Sequence, residues 1–109
     1  MDIESLEVYA RDSNYAIVKP PGRKYPGCVI QGDSLASLCR MAKAIAVFAA
    51  KAGIRDEDFL GNVEELNNAL VGRLIHYQEV LSRHGIGFPH VYPFDESDLV
   101  ELVPKDDGD

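Results

Sequence analysis

Tyr25-Pro26-Gly27-Cys28-Val29-Ile30-Gln31-Gly32-Asp33-Ser34-Leu35 is the stretch on which the fold turns. Cys28 to Gln31 is a short β-branched run that reads as a strand, and Gly32 stops it. Asp33 or Ser34 then offers a side-chain oxygen to the free N–H groups of a first helical turn. Behind that cap Leu35, Leu38, Cys39, Ala42, Ile45, Ala46 and Ala49 recur at i, i+3, i+4, i+7 spacing. The period predicts a helix lying on a sheet. Met41, Ala44 and Phe48 widen its apolar arc beyond what one sheet face needs, which predicts cover on a second side.

Upstream, Leu6, Val8 and Ala10 alternate with Glu7 and Tyr9, and Tyr15, Ile17 and Lys19 alternate with Ala16 and Val18. Asp12-Ser13-Asn14 supplies a turn between them, so a hairpin is expected. The prolines of Pro20-Pro21-Gly22 cannot donate to a ladder, which places them in a loop or at a sheet edge. Downstream, Asn62 with Glu65 resembles a capping box, and Val63, Leu66, Leu70, Leu74, Tyr77 and Leu81 form a helical seam that ends at His84-Gly85. Phe88 to Phe94 is aromatic and proline-rich, which predicts an extended segment pinned on the core. Leu99 to Val103 reads either as a short C-terminal strand or as a segment docked elsewhere, and residues 105 to 109 as disordered. The expected class is α+β: a three-stranded antiparallel meander followed by two helices packed on one face, of ββαα type.

The chain of 109 residues is 46% apolar, enough for one core and too little for two. A domain over residues 1–94 and an acidic tail over 95–109 are expected, because charge divides there. Residues 1–94 hold 11 acids against 10 bases, while 95–109 hold 7 acids against Lys105. That balance is the reverse of the cationic excess with which proteins neutralise phosphates, so a nucleic-acid partner is not expected. No apolar run is long enough to span a bilayer, so no membrane partner is expected either. The acidic opening Met1-Asp2-Ile3-Glu4 is unlike a secretory signal, which makes the cytoplasm the expected location and leaves Cys28 and Cys39 as free thiols.

The segment from Tyr25 to Leu35, preceded by the strand Tyr15 to Val18 and followed by an alanine-rich helix, resembles the core motif of HicB-like antitoxins. The likeness covers about a third of the chain and implies a truncated ribonuclease-H-like arrangement that inactivates a small ribonuclease by direct contact. The longer string from Asn14 to Leu35 also looks like a set of small bacterial proteins of unknown role. Two positions depart from the antitoxin pattern: Lys24 and Tyr25 replace an acid before Pro26-Gly27, and an acidic tail stands where many of those proteins bind DNA.

Catalysis needs a nucleophile, a base and an orienting group, and among His76, His84 and His90 at most one role can be filled. Cys28, Cys39, His84 and His90 lack the paired short spacings of a metal site. Glu4, Glu7 and Asp12 are too few strand carboxylates for two-metal chemistry. No enzyme activity, cofactor or metal is therefore expected. Two charged groups remain as partner-binding candidates. Lys19, Arg23 and Lys24, beside Tyr25, form a basic loop, and Asp95, Glu96, Asp98 and Glu101 form an acidic tail suited to a basic partner face. These features lead to an expected noncatalytic inhibitor of immunity or antitoxin type that occludes a protein toxin. The alternative is a small homo-oligomeric structural or adaptor domain, and a homo-oligomer, a homodimer at the least, is expected in either case.

Overall fold

The computed structural model describes residues 1–12 and 15–104. Three strands come first: β1 (Glu7–Ala10), β2 (Ile17–Lys19) and β3 (Gly27–Cys28), in the order β1-β2-β3, antiparallel throughout. Two helices follow, α1 (Gly32–Lys51) and α2 (Glu57–Arg83), then a single 3₁₀ turn at Glu96–Asp98. The class is the expected α+β meander with two helices. The turn inferred at Asp12-Ser13-Asn14 lies partly outside the described residues, as does the segment from residue 105 onward.

The register pairs Glu7 with Lys19 and Val8 with Val18, then slips so that Ala10 meets Ile17, leaving Tyr9 at a bulge. Tyr9 turns its hydroxyl to the Glu7 carboxylate at 2.9 Å, and that bond pushes the phenol's pKa up. The third strand is shorter than the run Cys28 to Gln31 predicts, although the Val29 N–H still reaches the Ala16 carbonyl at 2.9 Å.

Neither helix begins where its cap residues suggest. Gln31 caps α1 without a side-chain bond, and the Asp33 carboxylate accepts from the Ser34 N–H instead. Helix α2 starts at Glu57 under Asp56, whose carboxylate accepts from the Phe59 N–H at 3.0 Å. Asn62 and Glu65 therefore lie inside the helix. Asp56 satisfies the free N–H groups of the first turn, and Glu57 and Asp58 complement the positive end of the helix dipole. The far end stops as predicted, with His84 as C-cap and Gly85 at φ 68°.

The core lies between the helices and not between helix and sheet. Leu35, Ala36, Cys39, Ala42, Ala46 and Ala49 of α1 are buried against Leu60, Val63, Val71 and Leu74 of α2. The α1 face of this core is built mostly of small side chains, and at Gly32 the ring and hydroxyl of Tyr77 fill the space that a Cβ would take. Leu38 and Ile45, expected inside, are exposed, as is Leu66 of the α2 seam. The α2 seam is rotated by one residue row and runs through Asn67 and Gln78, both buried. No strand residue reaches the buried class; Ile17, Val18, Lys19 and Ala10 are half-buried and the rest exposed.

Candidate functional site

Amide side chains of α2, the buried Gln78 and Asn67 and the half-buried Asn68, hold the described chain from Phe94 to Val100. The Gln78 amide donates to the Phe94 carbonyl at 2.7 Å while its oxygen accepts from the Phe94 N–H at 2.9 Å. Ten residues earlier on α2, nearly three turns, Asn68 repeats the arrangement on Val100, donating at 2.9 Å and accepting at 2.8 Å. Asn67 donates to the Asp98 carbonyl, and one Glu64 oxygen accepts from the N–H groups of Leu102 at 2.6 Å and Val103 at 3.1 Å. As the segment advances from 94 to 103 its partners fall from 78 to 64, so it runs antiparallel to α2. Side-chain amides take the place of a neighbouring strand. Of the two readings for Leu99 to Val103, docking is the one realised, and the sheet keeps three strands.

This strap consumes part of the acidic group inferred from sequence. Asp95 caps the 3₁₀ turn by accepting from Ser97, which holds its carboxyl below the usual range, and its own N–H donates to Asp98. Asp98 is also paired with Lys43 of α1. Glu96 and Glu101 stay exposed. Asp98, Val100, Leu102 and Val103 are thus bonded to α2.

The basic loop is elsewhere. Lys19 ends β2, and Arg23, Lys24 and Tyr25 are exposed on the connector to β3, where Gly22 at φ 81° closes a turn with the Arg23 N–H on the Pro20 carbonyl. The Lys24 ammonium stands 5.4 Å from the ring centre of Tyr25. Among the described residues no ion pair joins Lys19, Arg23 or Lys24 to Asp95, Glu96, Asp98 or Glu101. The two candidate groups form two surfaces and not one site.

His76 and His84 are exposed, and His90 stands apart from both. His90 stacks on Phe88 at 5.4 Å and donates Nε2–H to the Gln78 oxygen at 2.7 Å, which leaves Nδ1 as a buried acceptor without a partner. Burial, with the Arg40 charge adding to it, holds its pKa down. Among the described residues no three His, Cys, Asp or Glu side chains are grouped to hold a metal ion. The cavity of about 620 Å³ between α1 and residues 89–94 contains Arg40 and Lys43, but these are turned to Ser37 and Asp98. Asp33 accepts from the Ser34 N–H, and His90, also in the lining, is the member that keeps a ring nitrogen without a partner. Cys28 is exposed and Cys39 buried, and they are unlinked.

One open feature is lined mainly by apolar side chains. A groove of about 540 Å³ where the sheet meets α1 is lined by Tyr15, Ile17, Val29, Ile30, Leu38 and Met41. Beyond it Ile45 and Phe48 continue the exposed line along α1. Leu38 and Ile45 escaped the sequence reading because helical spacing admits two apolar seams on α1 and does not say which one α2 covers. The strap clamp escaped it too, although an Asn and a Gln inside an apolar helical seam signal a buried partner to be found.

The fold and these surfaces define a small α+β domain with open apolar ground and no converging polar site among its described residues. Residues 1–90 match a family of unknown function, DUF6959, and the chain belongs to that family. The match takes in the sheet and both helices, and the strap lies beyond it. No curated protein and no solved structure matches the chain. Among the described residues no helix is long and apolar enough to cross a membrane.

Proposed function

We propose that this chain is a noncatalytic protein-binding domain of immunity or antitoxin type, which occludes a toxin with its sheet and the Pro20 to Gly27 loop. The observation that carries it is the uncovered sheet. Val8, Tyr9, Tyr15, Tyr25, Val29 and Ile30 are all exposed beside Arg23 and Lys24, although a short sheet ordinarily needs an apolar face packed on something. Aromatic side chains with a cation at their side are the composition of a protein-contacting surface. The likeness of Tyr25 to Leu35 to HicB-like antitoxins supports the same reading, and the cytoplasm is where such an inhibitor would act.

The test is co-expression with the product of the neighbouring gene. Rescue from growth arrest, with a complex whose affinity falls at least tenfold in Tyr25→Ala and Lys24→Glu variants, is the expected result. A neighbour that is harmless alone and forms no complex overturns the reading. The homo-oligomeric alternative is favoured by a different observation, the exposed row on α1.

A further inference from the structure

Helix α1 carries two apolar rows of the same kind. Leu35, Cys39, Ala42, Ala46 and Ala49 follow 4-3-4-3 spacing and are buried against α2. Leu38, Met41, Ile45 and Phe48 follow 3-4-3 spacing and are open, Met41 at 56% and Phe48 at 67% exposure. A strict alternation of three and four is the pattern of a helix-to-helix seam, narrower than the arc that packs on a sheet. We infer that the open row is covered by α1 of a second copy, the two helices antiparallel about a two-fold axis that passes between Met41 and Ile45. The inference deepens the homo-oligomeric alternative and is independent of what binds the sheet.

Four observations select a second copy and this orientation. The row is palindromic in spacing, so a two-fold sets Leu38 opposite Phe48 and Met41 opposite Ile45, and each contact occurs twice. Phe48, the most exposed member, then faces the partner's Leu38, which borders the groove of about 540 Å³ between sheet and helix. A parallel pairing would instead bring sheet against sheet at one end and leave both Phe48 rings without a socket. The row lies half a turn around α1 from Lys43, which holds Asp98, so the acidic straps of the two copies point away from each other despite a net charge of −7 on each chain. Leu38, Met41, Ile45 and Phe48, with Leu66 exposed on α2, leave on the order of 600 Å² of apolar surface per copy. That is about three-quarters of the roughly 800 Å² per partner of a standard interface, without any residue of the sheet.

Sedimentation equilibrium on the full chain tests this. The expected mass is that of two chains, with the dissociation constant raised at least a hundredfold by Met41→Asp and by Phe48→Asp. Circular dichroism should show both variants still helical, since both positions are exposed. Glu101→Gln, on the strap side, should change the constant less than twofold. The orientation is read by disulfide capture in a Cys28→Ser background: an equimolar mixture of Leu38→Cys and Phe48→Cys chains should give mainly the mixed cross-link. A monomer up to hundreds of micromolar, a dimer that neither aspartate weakens, or preferred Leu38→Cys self-linking overturns the inference. Toxin binding through Tyr25 and Lys24 is measured separately, so either result can fail while the other stands.

Discussion

Gln78 shows how one buried side chain decides the course of ten residues. Its amide satisfies both backbone groups of Phe94 and the Nε2–H of His90. Gln78→Met keeps the volume and orphans all three, and each unsatisfied buried group costs about 1–3 kcal/mol. Urea unfolding should show a loss of at least about 2 kcal/mol, reduced to the extent that water reaches the site. His90 adds a pH dependence of definite sign. Its folded pKa is held below the ordinary value of about 6.5, so between the two values the unfolded chain binds a proton that the folded chain refuses. Its contribution is complete above about pH 6.5 and declines as pH falls toward the folded value. Thermal melts should therefore show the stability gap between the native chain and His90→Gln shrinking from pH 7.5 to pH 5.

The strap and the helix pair behave as one element. Deleting residues 95–109 exposes Asn67 and removes the bonds to Glu64, Asn68 and Lys43, so the melting temperature should fall by several degrees. Changing Glu96 and Glu101 together to Gln removes charge without touching those bonds and should leave it unchanged. Asp95 and Asp98 cannot be neutralised as a test of long-range steering, because both belong to the cap and Asp98 also holds Lys43. An equal loss in the deletion and the double Gln variant would show that charge, not docking, matters in the strap. The helix boundaries teach a related lesson. Asn62 and Glu65 have the right residue types for a cap, but the cap is Asp56, six residues before Asn62, and the longer helix buries more.

Across the molecule, stability is divided. Among the described residues the buried side chains all come from α1 and α2, while the sheet is held by its ladder and one half-buried strand, β2. Amides of β1 to β3 should exchange hydrogen at least a hundredfold faster than those of Val71 and Leu74, by local opening that leaves the helices intact. Equal protection in both parts would mean that the sheet is anchored by packing. If a partner covers the sheet, its binding should slow exchange there before anywhere else.

Local chemistry was enough to fix the kind and order of the elements: alternation for the strands, 3.6-residue spacing for the helices, Gly85 for the end of α2, and the prolines for the connector. These depend on residues within a turn or two of one another, and the chain states them directly. Which seam of α1 meets α2 and where Leu99 to Val103 rests depend on contacts between residues distant in the chain, such as Gly32 with Tyr77, Lys43 with Asp98 and Asn68 with Val100, whereas the start of α2 rests on the local bond of Asp56 to Phe59. Leu35 and Leu38 are equally apolar, and Asp95 and Glu96 equally acidic. Only the approach of one helix to another, and of the strap to Asn68 and Gln78, makes one member of each pair structural and leaves the other facing out.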